Sequence, residues 1–338
     1  MNRSELVSTL ELVKLALAKD NLIPICQCFV FQNGKVSAYD NSIAIVGPAN
    51  FDRAFAVHGN TALGLISGAS SEEVDAKFEE NSVTFKLGKT TVDLPTSSED
   101  DFLFTEPDTE FTKIPLTVSL CEAIKLCLKT VSSDETQQAL KGIHIQGDKM
   151  YSSDSDMLTQ VQLKKPIKQK LMLPTAFCNA VVKIWDDRGM AKGMLGFNDE
   201  WLCAEFEDWW AVYGRVPELN QQLDFAALVQ KKLKGTPDRL PVPEGFADAL
   251  ARARVLADPE SKQTAIKIAK GKIHLVTSTH MGSVNDVLAF KGHPDVEANI
   301  TASHLQQAVA VCDTIAFHTD HVVLEKSPDV LMLVSNLA

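Results

Sequence analysis

Leu6-Val7-Ser8-Thr9-Leu10-Glu11-Leu12-Val13-Lys14-Leu15-Ala16-Leu17 sets Leu6, Leu10, Val13 and Leu17 at the spacing that lays one apolar stripe along an α-helix. Pro24 closes this region. Cys26 to Phe31, Asn33-Gly34 and Lys35 to Tyr39 then read as a hairpin, because Asn-Gly accepts the positive φ of a tight turn. The same order returns twice. A second stripe, Leu120, Ile124, Leu128 and Val131, precedes Gly142 to Gln146 and Lys149 to Ser152 around Gly147-Asp148. A third, Phe246, Leu250 and Ala253, precedes Ala265 to Ile268 and Ile273 to Thr277 around Lys270-Gly271. The copies begin near Leu6, Ser119 and Glu244. Such repetition outweighs any local motif, since each copy reuses one packing solution.

Each copy also carries a second helix: Thr61 to Ile66, Thr175 to Trp185 and Ser303 to Cys312. Pro95 to Pro107, rich in Ser, Asp and Glu, reads as a linker, as does Lys231 to Pro243 with Gly235, Pro237, Pro241 and Pro243. The chain divides accordingly into 1–107, 108–238 and 239–338. Each part has two helices laid on antiparallel sheets, a layered α+β class.

The 338 residues leave room for two or three cores, and 45% hydrophobic with 23% charged residues is the composition of a soluble globular protein. No apolar run approaches the roughly 18 residues of a membrane span. Met1 to Glu5 runs straight into the first helix without a signal peptide, so a cytoplasmic location is expected. Seven cysteines, at 26, 28, 121, 127, 178, 203 and 312, are odd in number and dispersed, which argues against a disulfide framework. Cys26 and Cys28, two apart on a strand, should share one face and fill the core. The net charge of −11 argues against nucleic acid as a general partner, although screening allows a locally basic face to act alone.

Four strings resemble the bacterial sliding clamp family, the beta subunit of DNA polymerase III. Asn21-Leu22-Ile23-Pro24-Ile25 is similar to the family's entry into its first sheet. Thr91-Val92-Asp93-Leu94-Pro95-Thr96 with Glu99-Asp100-Asp101-Phe102 is similar to its Leu-Pro-Thr and Asp-Phe-Pro junction, with Leu103 in place of the proline. Leu140-Lys141-Gly142-Ile143 resembles the opening of the second domain's sheet, and Tyr213-Gly214-Arg215-Val216-Pro217-Glu218 its closing signature. The strings run in matching order along the whole chain. The resemblance implies three repeated clamp domains that form half of a six-domain ring, a homodimer closing around duplex DNA to tether a replicative polymerase. It implies no catalysis and no cofactor. Linkage by encirclement raises effective concentration at the template without sequence readout.

On that reading the DNA-facing cations are Lys14, Lys125, Lys129, Lys183 and Arg252, which lie off the apolar stripes of their helices. Acidic neighbours on the same helices and a thin basic set imply few, salt-sensitive phosphate contacts. The resemblance also implies a pocket for the short peptides of polymerase and clamp loader, built from Leu140, Ser153, Ser155, Met157, Leu158, Pro217, Gln221, Gln222, His321, Val323, Leu333, Val334, Ser335, Asn336 and Leu337. Here the chain departs from the family. Thr-Asp-Gly-His-Arg-Leu becomes Ser153-Asp154-Ser155-Asp156-Met157-Leu158, and Met-Pro-Met-Arg-Leu becomes Leu333-Val334-Ser335-Asn336-Leu337, followed by Ala338. An apolar floor without flexible methionines should accept a narrower set of peptides, as in a phage or mobile-element clamp matched to its own polymerase. The seam between chains is implied at Lys89 and Leu94 on one side and Val255, Leu256 and Asp286 on the other.

Two other classes compete. Asp154-Ser155-Asp156, or His318-Thr319-Asp320-His321, could hold a metal for phosphate chemistry, but both read as turns, and no phosphate loop or nucleophile elbow accompanies them. A clamp-fold adaptor or antagonist that does not encircle DNA is the other alternative.

Overall fold

A computed structural model describes residues 1–19, 23–189, 192–218, 223–257 and 263–337; Asn21 and Leu22 of the first family-like string lie outside them. The described helices are α1 (Arg3–Val13), α2 (Gly59–Ser67), α3 (Val118–Leu128), α4 (Thr175–Asp187), α5 (Phe225–Leu233), α6 (Phe246–Leu256) and α7 (Ala302–Val309). The helices that head the three repeats, α1, α3 and α6, are each 11 residues long. The sequence places α1 by cap and stripe together. Asn2 Oδ1 accepts the Glu5 N–H at 3.1 Å, and Leu6, Leu10 and Val13 are buried.

The chain folds into two compact units: Met1–Cys121 with Leu173–Pro217, and Glu122–Met172 with Glu218–Ala338. The middle repeat gives strands to both. In the first unit an eight-stranded sheet runs Phe55–His58, Cys28–Gln32, Lys35–Tyr39, Ile43–Pro48, Ala211–Arg215, Trp201–Phe206, Gly193–Phe197, Thr112–Leu116. Its join is antiparallel, with Ile45 opposite Val212. The close fit of this join depends on glycine. A side chain at Gly47 would stand 2.8 Å from the buried ring of Trp210. A second sheet, Asp75–Phe78, Ser82–Leu87 and Thr90–Pro95, carries Phe85 into a cluster of rings with Phe51 and Phe55.

The second unit has a six-stranded sheet in the order Leu240–Pro241, Thr314–Phe317, His321–Lys326, Val330–Ser335, Met157–Pro174, Gly142–Ser153. It also has a four-stranded sheet, Gly282–Ala289, Lys272–Thr279, Gln263–Ala269, Val296–Thr301. Phe246 and Leu250 of α6, Leu305 of α7, Ile266, Ile273, Phe317 and Met332 meet in one core. The Lys270-Gly271 turn is as expected, both residues having positive φ (52° and 72°).

Several expectations are corrected. Cys26 lies in a 3₁₀ turn, Pro24–Gln27, because Pro24 opens a helical turn; Cys26 and Cys28 nevertheless share one cluster with Ile25, Val30 and Ala56. Gly147 has a positive φ of 69° but stands inside an element assigned as one strand, Gly142–Ser153. The stretch read as a linker from Lys231 contains the end of α5, and Leu240–Pro241 pairs with Thr314–Phe317. Within Pro95–Pro107, Phe104 is buried against Tyr39, Trp201 and Tyr213. The strands Ile43–Pro48, Phe55–His58, Gly282–Ala289 and Val296–Thr301 carried no expectation. All seven cysteines are buried, and none forms a disulfide. Among the described residues no helix is long and apolar enough to cross a membrane.

Replacing Gly47 with alanine should destabilise the first unit by about 1–3 kcal/mol, the usual cost of overpacking. Denaturant unfolding followed by tryptophan fluorescence checks this. An unchanged midpoint would mean that Trp210 can yield.

Candidate functional site

Three neighbouring strands bring much of the implied peptide pocket together. The register of His321–Lys326, Val330–Ser335 and Met157–Pro174 sets Val323 opposite Leu333 and Leu333 opposite Leu158. One position along, Val322 stands opposite Val334 and Val334 opposite Met157. Successive strand residues point to opposite faces, so the two rows part. Val323, Leu333 and Leu158 join Tyr151 and Leu331 in one apolar cluster, edged by Leu140. Val322, Val334 and Met157 turn into the core of Phe246 and Leu250. The register thus separates Met157 and Val334 from the other implied pocket residues. Tyr151 and Leu331, which the sequence reading did not include, belong with them.

The polar members hold turns. Ser153 Oγ donates to the Met157 carbonyl at 2.8 Å and accepts the Ser155 N–H at 3.2 Å, while Ser155, at φ 84°, donates its hydroxyl to Gln137 Oε1 at 2.8 Å. Asp154 Oδ1 accepts the backbone N–H groups of Met157 (2.7 Å) and Asp156 (3.1 Å). Burial pushes the Asp154 carboxyl upward, but the hydrogen bond from His304 and those backbone donors outweigh it and hold the group below its ordinary value. The Asp154-Ser155-Asp156 run is therefore a closed local turn. Ser335 donates its N–H to the Asp156 carbonyl, and the Asn336 side chain and Leu337 N–H tie the end of the chain to Thr319 and Asn299. Pro217 belongs to the first compact unit, and Gln221 and Gln222 lie outside the described residues.

The apolar cluster is covered by α5. Phe225 (2% exposed) stacks on Tyr151 with centroids 5.5 Å apart and planes 10° apart, and tilts against His144 at 4.9 Å. Val229, one turn on, is 4% exposed in the same cluster. These are the two buried residues of α5, against six in α4. Each contributes roughly 1.5–3 kcal/mol, and a helix of nine residues cannot stand without such docking. The local signals were present in the sequence. Asp224 caps the helix by accepting the Ala227 N–H at 2.9 Å, Phe225, Val229 and Leu233 recur at helical spacing, and Lys231 and Lys232 sit in the last turn.

A charged knot fastens the other end. Lys232 Nζ lies 2.7 Å from Asp320 Oδ2, while Oδ1 of the same carboxylate lies 2.6 Å from His321 Nδ1 and 2.5 Å from His318 Nδ1. Thr236 Oγ1 bonds the Lys232 carbonyl at 3.0 Å and faces His321 Nε2 at 3.4 Å. The Lys232 ammonium, helped by the two imidazoles, holds the Asp320 carboxyl far below the usual carboxylate range. Burial lowers His321 against the pull of Asp320. His318, Asp320 and His321 come close enough to share a cation, and Lys232 already supplies one. The exposed pair of Lys232 and Asp320 adds less than about 1 kcal/mol by itself.

The cations implied to face DNA are dispersed over both units. In the first, Lys14 lines a cleft of about 490 Å³ with Lys19, Asn60 and Asn179, and Lys183 follows Asn179 by four residues on α4. In the second, Lys125 pairs with Glu122 at 2.9 Å, and Lys129 is exposed just beyond α3, its carbonyl bonded by Gln307 of α7. Arg252 is held bidentately by Asp286 at 2.7 and 3.1 Å. Asp286, an implied seam residue, is thus engaged within its own chain. Lys89 is exposed, Leu94 8% exposed, Val255 78% exposed and Leu256 half-buried.

Comparison of the whole structure with solved ones finds the sliding-clamp fold. The chain resembles a DNA polymerase III beta sliding clamp from Bartonella birtlesii bound to griselimycin, with a TM-score of 0.89 and 17% identity over 100% of this chain and 98% of that one. The DNA polymerase III beta subunit from Thermotoga maritima (TM-score 0.86, 16% identity) and the beta chain from Streptococcus pneumoniae TIGR4 (0.86, 17%) are matched over the same shares. No protein-family model matches the sequence, and no curated protein is similar to it.

Histidines and carboxylates with depressed folded pKa values contribute stability that is present above their unfolded values and lost as pH falls. Lowering the pH through the unfolded histidine value of 6.5 should therefore loosen the Lys232–Asp320–His321 knot. Hydrogen exchange, corrected for intrinsic rates, should show α5 losing protection between pH 7 and about pH 5 before the strands beneath it. In His321→Gln the upper part of this dependence should vanish.

Proposed function

We propose, with the sliding-clamp fold as premise, that two copies of this chain close around duplex DNA and tether a replicative DNA polymerase as a processivity factor, without catalysis and without a cofactor. The observation that carries this reading is that the likeness to sliding clamps runs over the whole chain and not over one repeat. The three-part division 1–107, 108–238 and 239–338 is, on this reading, the clamp's domain organisation. A cytoplasmic site of action and a phage or mobile-element origin belong to the same proposal.

Three features support it. Exposed Lys14 and Lys183 stand on a helical surface of the first unit, suited to weak contacts with phosphates of any sequence. Thr90–Pro95 and Gly282–Ala289 are edge strands, each hydrogen-bonded to a single neighbour in its own sheet, and open edges are templates for pairing with another chain. They carry Leu94 and Asp286, the implied seam residues, and Val255 offers an exposed apolar side chain for such a contact. The apolar row Leu158–Leu333–Val323 supplies the floor on which clamp-binding peptides of polymerase and loader would sit.

A closed ring leaves linear DNA by its ends and is trapped on circles. The protein should run in solution at twice the 37.0 kDa of one chain and, once loaded, should stay on nicked circular DNA and leave it on linearisation. A monomer at all concentrations, or equal retention on both DNA forms, would exclude encirclement and favour the adaptor reading. Lys14→Glu with Lys183→Glu should weaken retention about tenfold at low salt, with the difference shrinking as salt rises.

A further inference from the structure

We propose that α5 is a built-in occupant of the partner groove, and that a partner engages this protein by displacing it. The inference rests on the reading of this face as the peptide site and adds its regulation. Phe225 and Val229 fill the floor of Leu158, Leu333 and Val323, where an incoming segment's apolar anchors would go. α5 is seated as a ligand is seated. It presents an aromatic residue, an aliphatic residue four positions on and a cation three further, all on one helical face. Each meets a distinct receptor: Tyr151, the Leu333 row and Asp320.

The attachment is built to be reversible. Two side chains of α5 are buried, and Leu228 on its outer side is 43% exposed. Besides apolar side-chain packing, α5 is tied down at its two ends, by Gln146 Nε2 donating to the Leu223 carbonyl at 2.7 Å and by Lys232 Nζ donating to Asp320 Oδ2 at 2.7 Å. The partner this groove selects is a segment with the same face: an aromatic residue, an aliphatic one about a turn later, and a basic residue to take over Asp320. While α5 is docked, affinity for such a segment is reduced by the fraction of molecules in which the groove is open.

The test uses the full chain and a fluorescent synthetic peptide spanning residues 223–236, titrated by anisotropy. Phe225→Ala with Val229→Ala should loosen α5 and raise peptide affinity about tenfold or more over the unaltered chain. Adding Leu333→Glu should abolish binding. A folded double variant that binds the peptide no better than the unaltered chain overturns the proposal. Should that variant fail to fold, hydrogen exchange on the unaltered chain decides. Opening of α5 before His321–Lys326 and Val330–Ser335 supports it, and loss of protection together with them makes α5 permanent core and overturns it. Neither assay contains DNA or polymerase. Failure of the clamp reading therefore appears in the circular-DNA experiment, and failure of this inference here.

Discussion

The six-stranded sheet of the second unit is buried on both faces, and that constraint shapes the rest of the unit. Because side chains alternate along a strand, Leu331, Leu333 and Leu158 cannot reach the core that takes Met332, Val334 and Met157. The first set must find a separate cover or remain a contiguous apolar face in water. Large exposed faces of that kind mark binding surfaces. α5 is the cover this chain carries, and the outer face of the sheet is at once a structural debt and the candidate site.

The polar groups around the face follow from the same constraint. Asp320 sits at the turn before the strand that begins with His321, so its carboxylate can collect both imidazoles and the ammonium of α5 at the margin of the apolar cluster. Asp154 does the equivalent at the neighbouring turn with backbone donors and His304. Asp154 and Asp320, which look like metal ligands in a linear string, take hydrogen bonds here both from groups within three residues and from the distant His304 and Lys232. Their work is to shape the loops around the floor. Arg252 with Asp286 is a third example, a cation expected to be available to DNA and found clasped by its own sheet.

The first unit solves a different problem with the same repeat. Its sheet runs without a break from the first repeat into the second because Ile43–Pro48 and Ala211–Arg215 leave each other the correct edge, and glycines at 47 and 214 let Trp210 and Phe177 pack directly against the backbone. Seven scattered cysteines serve as small buried apolar residues throughout, with thiols such as Cys127 and Cys312 pushed up to about 12 by burial. A fold maintained this faithfully at 17% identity or less to its structural neighbours shows how little of the family's side-chain detail the architecture needs.

What the sequence alone determined was local and periodic: the three leading helices, the Asn33-Gly34 and Lys270-Gly271 turns, the α+β class and, through four short strings, the clamp fold itself. The helices, the turns and the class follow from spacing and turn chemistry within a few residues, and the clamp fold from the resemblance of the strings. Leu158, Leu333 and Val323 entered as an apolar floor only through the resemblance to the clamp family. Tertiary structure alone decided that Met157 and Val334 face the other way, that the strands of 108–238 are shared between two units, that Asp286 belongs to Arg252, and that α5, a helix outside the expected elements, folds over the floor. Those outcomes depend on which strands pair and in what register. Two stretches distant in the chain must meet before either has a face, and no window of sequence contains both.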